Sequence, residues 1–197
     1  MIKNVLEEVH KKISEEKSFP FWELLEKNES AMKNLETQIL GKIEQNVIVE
    51  GKLFLGKNSV IKAGSRIEGN VYIGENCIIG PNAYLRSNVL IDSDCFIGTT
   101  EIKNSIILSA TKIPHFSYVG DSIIGRNCNL GAGTKIANLR HDNGNVKVML
   151  SGKKIDSGKR KLGALLFDNV KTGVNSCINC GAIVEKDSKI LPLEFRK

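Results

Sequence analysis

Three histidines in 197 residues, one of them (His10) in a helical stretch, leave only His115 and His141 for any site built further along the chain. That is too few for a histidine-held catalytic metal, which takes three protein ligands, and no metal centre is expected. Five cysteines do not change this. Cys177 and Cys180 form a solitary C-x-x-C with no second pair and no βαβ context, so neither a zinc site nor a thioredoxin-like motif follows. Aromatic residues make up 6% of the chain and none falls between residues 139 and 165, its most basic stretch, which leaves no platform for stacking bases and argues against nucleic acid. No apolar run approaches the length of a membrane span, and the start Met-Ile-Lys-Asn has no signal core, so a cytoplasmic chain without membrane contact is expected. Nor does a glycine-rich nucleotide loop precede residue 41.

What the chain does have is a six-residue period. Ile43, Val49, Leu55, Ile61, Ile67, Ile73, Ile79, Leu85, Ile91 and Ile97 share one phase and are all aliphatic. Four residues after the leading position comes a mostly small residue, among them Ser59, Ser65, Cys77, Ala83 and Cys95. Three after it come Asn46, Asn58, Gly64, Asn70, Asn76, Asn82, Asn88 and Asp94, types that tolerate a left-handed backbone. A short strand closed by a turn every six residues is the signature of a hexapeptide β-helix. The expected fold is therefore all-β, a left-handed parallel β-helix of hexapeptide repeats, with three hexads to a coil. Residues 18 apart, such as Cys77 and Cys95, should then stack at a strand spacing of about 4.8 Å. Cys128 shares their small inward position, and burial explains all three.

The phase returns at Ile124, Leu130 and Ile136, and again at Leu166, Thr172, Ile178, Val184 and Ile190. This divides the chain into a helical cap or linker at 1–40 and a β-helix at 41–197, with loops expected at 103–118 and 139–165. In the helical part Ile2, Val5, Leu6, Val9 and Ile13 form one apolar stripe, Ser18 to Pro20 breaks it, and a second stripe runs from Phe21 to Ile39. These helices are expected to cap the first coil, whose strand edges would otherwise be open. Seven cations of the second loop (Arg140, Lys147, Lys153, Lys154, Lys159, Arg160 and Lys161) face only Asp142 and Asp156, a balance that suits a phosphate-bearing ligand.

From His115 to Asn138 the sequence HFSYVGDSIIGRNCNLGAGTKIAN resembles the acetyltransferase domain of the bifunctional glucosamine-1-phosphate N-acetyltransferase and N-acetylglucosamine-1-phosphate uridyltransferase family. The runs Asn138-Leu-Arg-His-Asp and Arg160-Lys-Leu-Gly-Ala are similar to its archaeal-type branch, and Phe19-Pro-Phe-Trp-Glu-Leu-Leu resembles the linker behind its nucleotidyltransferase domain. The resemblance implies acetyl transfer from acetyl-CoA to the amine of an amino-sugar 1-phosphate, with acetyl-CoA as co-substrate, no metal, and a homotrimer with sites between subunits. It implies no uridyl transfer by this chain, and leaves room for a separate nucleotidyltransferase partner.

By the same resemblance His115 is the catalytic base, a role that needs a near-neutral side chain, and the backbone amide of Ala132 is the oxyanion donor. Arg86 and Lys103 match the phosphate-binding pair, Tyr118 a phosphate contact, and Asn129 and Asn138 sugar contacts. Where the family carries a lysine six residues past that asparagine, this chain has Gly144, with Lys147 three residues on as the nearest substitute. Lys159, Arg160 and Lys161 are expected on the CoA phosphates. The alternative is a non-catalytic assembly or regulatory β-helix, which would have no reason to collect Arg86, Lys103, His115, Tyr118 and Asn138. A β-helical carbonic anhydrase fails on its count of histidine ligands.

Overall fold

The computed structural model describes residues 2–15 and 18–197, and its strands form a parallel solenoid with three faces. The first face is an eight-stranded column from Gln38–Ile39 to Ile183–Val184. The second runs from Lys42–Ile43 to Lys189–Ile190 and the third from Ile48–Glu50 to Phe195–Arg196. Two long strands, Phe96–Lys103 and Lys112–Gly120, pass through the corner between the second and third faces and serve both.

The hexad phase builds the core. Leu55, Ile61, Ile67, Ile73, Ile79, Leu85, Ile91 and Ile97 are all fully buried in one apolar column. Each such side chain contributes about 1.5–3 kcal/mol on burial. Cys77, Cys95 and Cys128 fill small positions of that column as free thiols, and burial pushes the Cys128 thiol up to about 12. The pairing of Ile78 with Phe96 sets Cys77 beside Cys95, the stacking the 18-residue spacing calls for.

Turns follow the asparagines at two of the three corners. Asn46, Asn58, Asn76, Asn82 and Asp94 have φ of 61°, 60°, 58°, 56° and 63°. At the corner after the third face the left-handed residue comes one position earlier than the hexads imply, at Gly51, Gly69, Ser87, Asn104 and Asp121. Asn70 and Asn88, expected as turn residues, instead anchor a helix: Asn70 Nδ2 donates to the Met32 carbonyl at 3.0 Å, and Asn28 Nδ2 donates to the Asn88 carbonyl at 2.9 Å.

Residues 103–118 are not the loop expected of them. They hold the strand Ile106–Ile107 and most of Lys112–Gly120. The coil shortens here, with Ile107 pairing Ile91 only 16 residues back, and a bulge between the Thr99–His115 and Glu101–Tyr118 pairs restores one residue. The phase broke because residues were removed from a coil. Residues 139–161 do leave the solenoid, so that Leu166 pairs Ile124 across 42 residues, and carry an antiparallel hairpin of Lys147–Leu150 with Lys153–Asp156.

The helices α1 (Ile2–Glu15) and α2 (Phe21–Met32) do not cap the first coil, and residues 38–39 are already strand. They lie along the first face, where Val5, Val9, Ile13, Phe21, Leu24 and Met32 pack with Leu90, Ile106, Ile123 and Leu165. The first coil is left open, with Ile48 50% and Val49 39% exposed. No helix among the described residues is long and apolar enough to cross a membrane.

Polar contacts also tie α1 down, His10 Nε2 to Asp92 Oδ2 at 3.0 Å and Arg126 Nη2 to Ser14 Oγ at 2.9 Å. Burial pushes the Asp92 carboxyl up, but hydrogen bonds from His10 and from the Ser93 amide outweigh it and hold the group below the usual aspartate range. A carboxyl held low in the fold contributes stability that is complete above its unfolded value of about 3.9 and is lost as pH falls through the lower folded value. The protection of the α1 amides, taken relative to the intrinsic exchange rate at each pH, should therefore fall on acidification from about pH 5 to about pH 3. Unchanged protection would assign the docking of α1 to apolar contacts alone.

Candidate functional site

Two neighbouring corners of the third face hold most of the candidate residues. At its far corner the register places Lys103 directly beside Arg86 on the preceding coil, and Glu101 beside Tyr84 on one side and Tyr118 on the other. Each cation has a carboxylate partner. Arg86 Nε donates to Glu101 Oε1 at 2.7 Å, and Lys103 Nζ reaches both oxygens of Asp121 at 3.0 Å. The second pair is well shielded, with the Lys103 and Asp121 side chains 15% and 5% exposed.

Asp121 is the hub of this corner. Asn104 Nδ2 donates to its Oδ1 at 2.9 Å, and Asn138 Nδ2 to its Oδ2 at 2.5 Å. The same Asn138 nitrogen lies 3.1 Å from Tyr118 Oη. Gly120 is required by this close approach, because a Cβ there would stand 2.6 Å from Tyr118 Oη and 2.7 Å from Asn138 Nδ2. Burial, and after it the Asp121 and Glu101 carboxylates, push the Tyr118 phenol up, so it keeps its proton at neutral pH.

His115 stands at the near corner, beside the bulge. Its ring is exposed, and so is the following Phe116, which has φ of 48°. Bulges beside active sites commonly re-aim a side chain. The His115 backbone is pinned, since its carbonyl accepts from the Gly133 amide at 3.0 Å and from Ser117 Oγ at 3.1 Å. Ala132 therefore adjoins it on the next coil, and among the described residues the Ala132 N–H has no backbone acceptor.

The structure thus brings together Arg86, Lys103, Tyr118 and Asn138 at one corner, and His115 with Ala132 at the other. From His115 to Gly120, the residue level with Lys103, is five positions along a strand that turns the corner, so at most about 16 Å at 3.3 Å per residue. Asn129 pairs Lys112 on the second face, away from the cation corner. Lys147 lies on the hairpin and lines a cleft with Arg140, His141, Asn179 and Cys180. Lys159 is not free for an anionic ligand, because its Nζ pairs with Glu26 of α2 at 2.5 Å. Together with Lys161 it lines a cavity of about 260 Å³ that also touches Asn104 and Asp121, on the Lys103 side of the fold. Arg160 is exposed. Among the described residues no three His, Cys, Asp or Glu side chains are grouped so as to hold a metal.

Asp121 and Asn104 were not among the residues singled out from sequence. Each occupies the left-handed position of the third corner, where Gly51 and Gly69 stand in earlier coils. Polar side chains replacing glycine in that row are the signal that was there to be read.

A family model described as the GMPPB C-terminal domain matches residues 67–186. A bifunctional sugar-1-phosphate nucleotidylyltransferase/acetyltransferase of Sulfurisphaera tokodaii is 45% identical over 173 residues, 87% of this chain and 43% of that protein. A bifunctional protein GlmU of Methanococcus maripaludis (strain C7) is 50% identical over 189 residues, 89% of this chain and 46% of that one. The chain spans less than half the length of these curated relatives. Among solved structures, the acetyltransferase domain of PglB from Neisseria gonorrhoeae FA1090 is 14% identical, with a TM-score of 0.41 over 84% of this chain and 60% of that one.

Proposed function

The chain belongs to the GMPPB C-terminal domain family, and we propose that it moves acetyl from acetyl-CoA to the amine of an amino-sugar 1-phosphate. Glucosamine 1-phosphate is the substrate this reading names. The observation that carries it is the far corner, where two cations on adjacent coils, a protonated phenol and an amide converge on one patch. A solenoid serving only for assembly would gain nothing from burying the Lys103 and Asp121 pair there. Relatives whose names include acetyltransferase and sugar-1-phosphate nucleotidylyltransferase support the same choice.

In this reading the sugar phosphate sits against Arg86, Lys103 and Tyr118. His115 takes a proton from the amine as nitrogen attacks the thioester carbon, and the Ala132 N–H stabilises the oxyanion. Collapse of that intermediate expels CoA thiolate, which takes up a proton to leave as the thiol. An imidazole and a backbone amide meet these needs without a metal. Arg160 and Lys161 stay exposed and available to the CoA phosphates. The setting is the cytoplasm, and a nucleotidyltransferase activity would use the acetylated sugar phosphate.

In this reading a homotrimer shares each site between neighbours, so that a second chain adds groups to those at the two corners. Light scattering should accordingly return three copies at micromolar concentration, and a stable monomer would count against the shared site. For the activity, thiol release from acetyl-CoA should appear with glucosamine 1-phosphate, and galactosamine 1-phosphate is the comparison that tests the choice of sugar. If no amino-sugar 1-phosphate is acetylated, the assembly-module reading takes its place.

A further inference from the structure

The hydrogen bonds at the far corner have a direction, and it can be traced from Asp121 outward. A carboxylate paired with lysine only accepts, so the Asn138 atom 2.5 Å from Asp121 must be the amide nitrogen. That nitrogen also donates to Tyr118 Oη, which spends both amide hydrogens and leaves Asn138 Oδ1 as an acceptor. Tyr118 Oη, already accepting from Asn138, keeps its own hydrogen to give away. Lys103 turns two hydrogens to the two Asp121 oxygens and retains a third.

We propose that Asp121 is a positioning residue that sets the donor and acceptor pattern of this corner: Lys103 and Tyr118 donate to phosphate oxygens, and Asn138 Oδ1 accepts from a hydroxyl or ammonium of the attached sugar. The proposal rests on the function proposed above and deepens it. It requires of the ligand an anionic oxygen cluster and a hydrogen-bond donor next to it. Gly120 fits the same purpose, since a side chain there would separate Tyr118 from Asn138. Asp121 itself sits at the corner turn with φ of 50°, a conformation aspartate tolerates, and its side chain is 5% exposed.

The full chain and the variants Asp121→Asn, Asn138→Asp and their double are compared by calorimetric titration with glucosamine 1-phosphate, initial rates and melting temperature. With the carboxylate gone, an amide at position 121 can donate as well as accept, and Asn138 is free to turn over. In Asp121→Asn the Kd and KM for the sugar phosphate should rise about 10- to 100-fold, the worth of bonds to charged groups, with kcat changed less than about threefold and KM for acetyl-CoA unmoved. The double variant restores the charge count but reverses the pattern, because the new carboxylate at 138 draws the phenol hydrogen inward. It should not recover binding. Recovery to near wild-type affinity would overturn the proposal, as would an Asp121→Asn protein that binds normally. If that variant does not fold, Tyr118→Phe carries the test: about tenfold weaker binding of glucosamine 1-phosphate is expected from losing the outward donor, and unchanged binding would overturn the proposal. Wild-type protein that binds the sugar phosphate but transfers no acetyl refutes the function alone, and the Kd values still decide the role of Asp121. Wild-type protein that does not bind it refutes both.

Discussion

His115→Ala should lower turnover by about 10²- to 10⁴-fold, the usual worth of a positioned general base, while leaving the fold almost untouched. The separation of effects follows from where the residue stands. Its ring is exposed beside the bulge, and the bonds that fix this corner run from the Gly133 amide and Ser117 Oγ to its backbone carbonyl, which alanine keeps. Melting temperature and oligomeric state should match the wild type. Residual activity within a few-fold of wild type would move the base elsewhere.

Lys103→Ala should act on stability and binding together. The substitution strands the Asp121 carboxylate in a site where its side chain is 5% exposed. Breaking such a pair costs about 3 kcal/mol, roughly 6–12 °C in melting temperature for a chain of this size. The low end of the range applies because Asn104 and Asn138 still donate to the carboxylate. Affinity for the sugar phosphate should fall as well. Adding Asp121→Asn to Lys103→Ala removes the stranded charge and should restore most of the melting temperature without restoring affinity. A single variant as stable as wild type would mean the pair is open to water.

The aliphatic column was legible because a solenoid core demands one side chain at a fixed phase, and Leu55 to Ile97 supply it. Arg86 and Lys103 were legible as neighbours for the same reason. What escaped depends on coil length. Once Ile107 pairs 16 rather than 18 residues back, a fixed period no longer says which side chains meet, and the Asp121 hub lies beyond that point. The outward rows held a further signal. On the first face Phe54, Tyr72, Leu90, Ile106, Ile123, Leu165 and Ile183 stand in one register with no charged residue among them, whereas the corresponding row of the second face is mixed, running Lys42, Val60, Ile78, Phe96, Lys112, Asn129, Lys171 and Lys189. That asymmetry places the helices along a side of the prism, not over its end. The pairing of Lys159 with Glu26 follows from that placement, and it is why a lysine that reads as available in a basic run is already taken.

In the closed assembly proposed above, the helices on the first face would limit which sides of the prism can meet. A prism with three equivalent sides has no preferred count of neighbours and can tile outward without limit, each side recruiting another copy. With α1 and α2 laid over one side, two remain bare, and a copy can offer one to the molecule on its left and the other to the molecule on its right. A closed trimer of the kind proposed above would use those two sides and leave every helical layer facing out. In such an assembly α1 and α2 would be what keeps it finite.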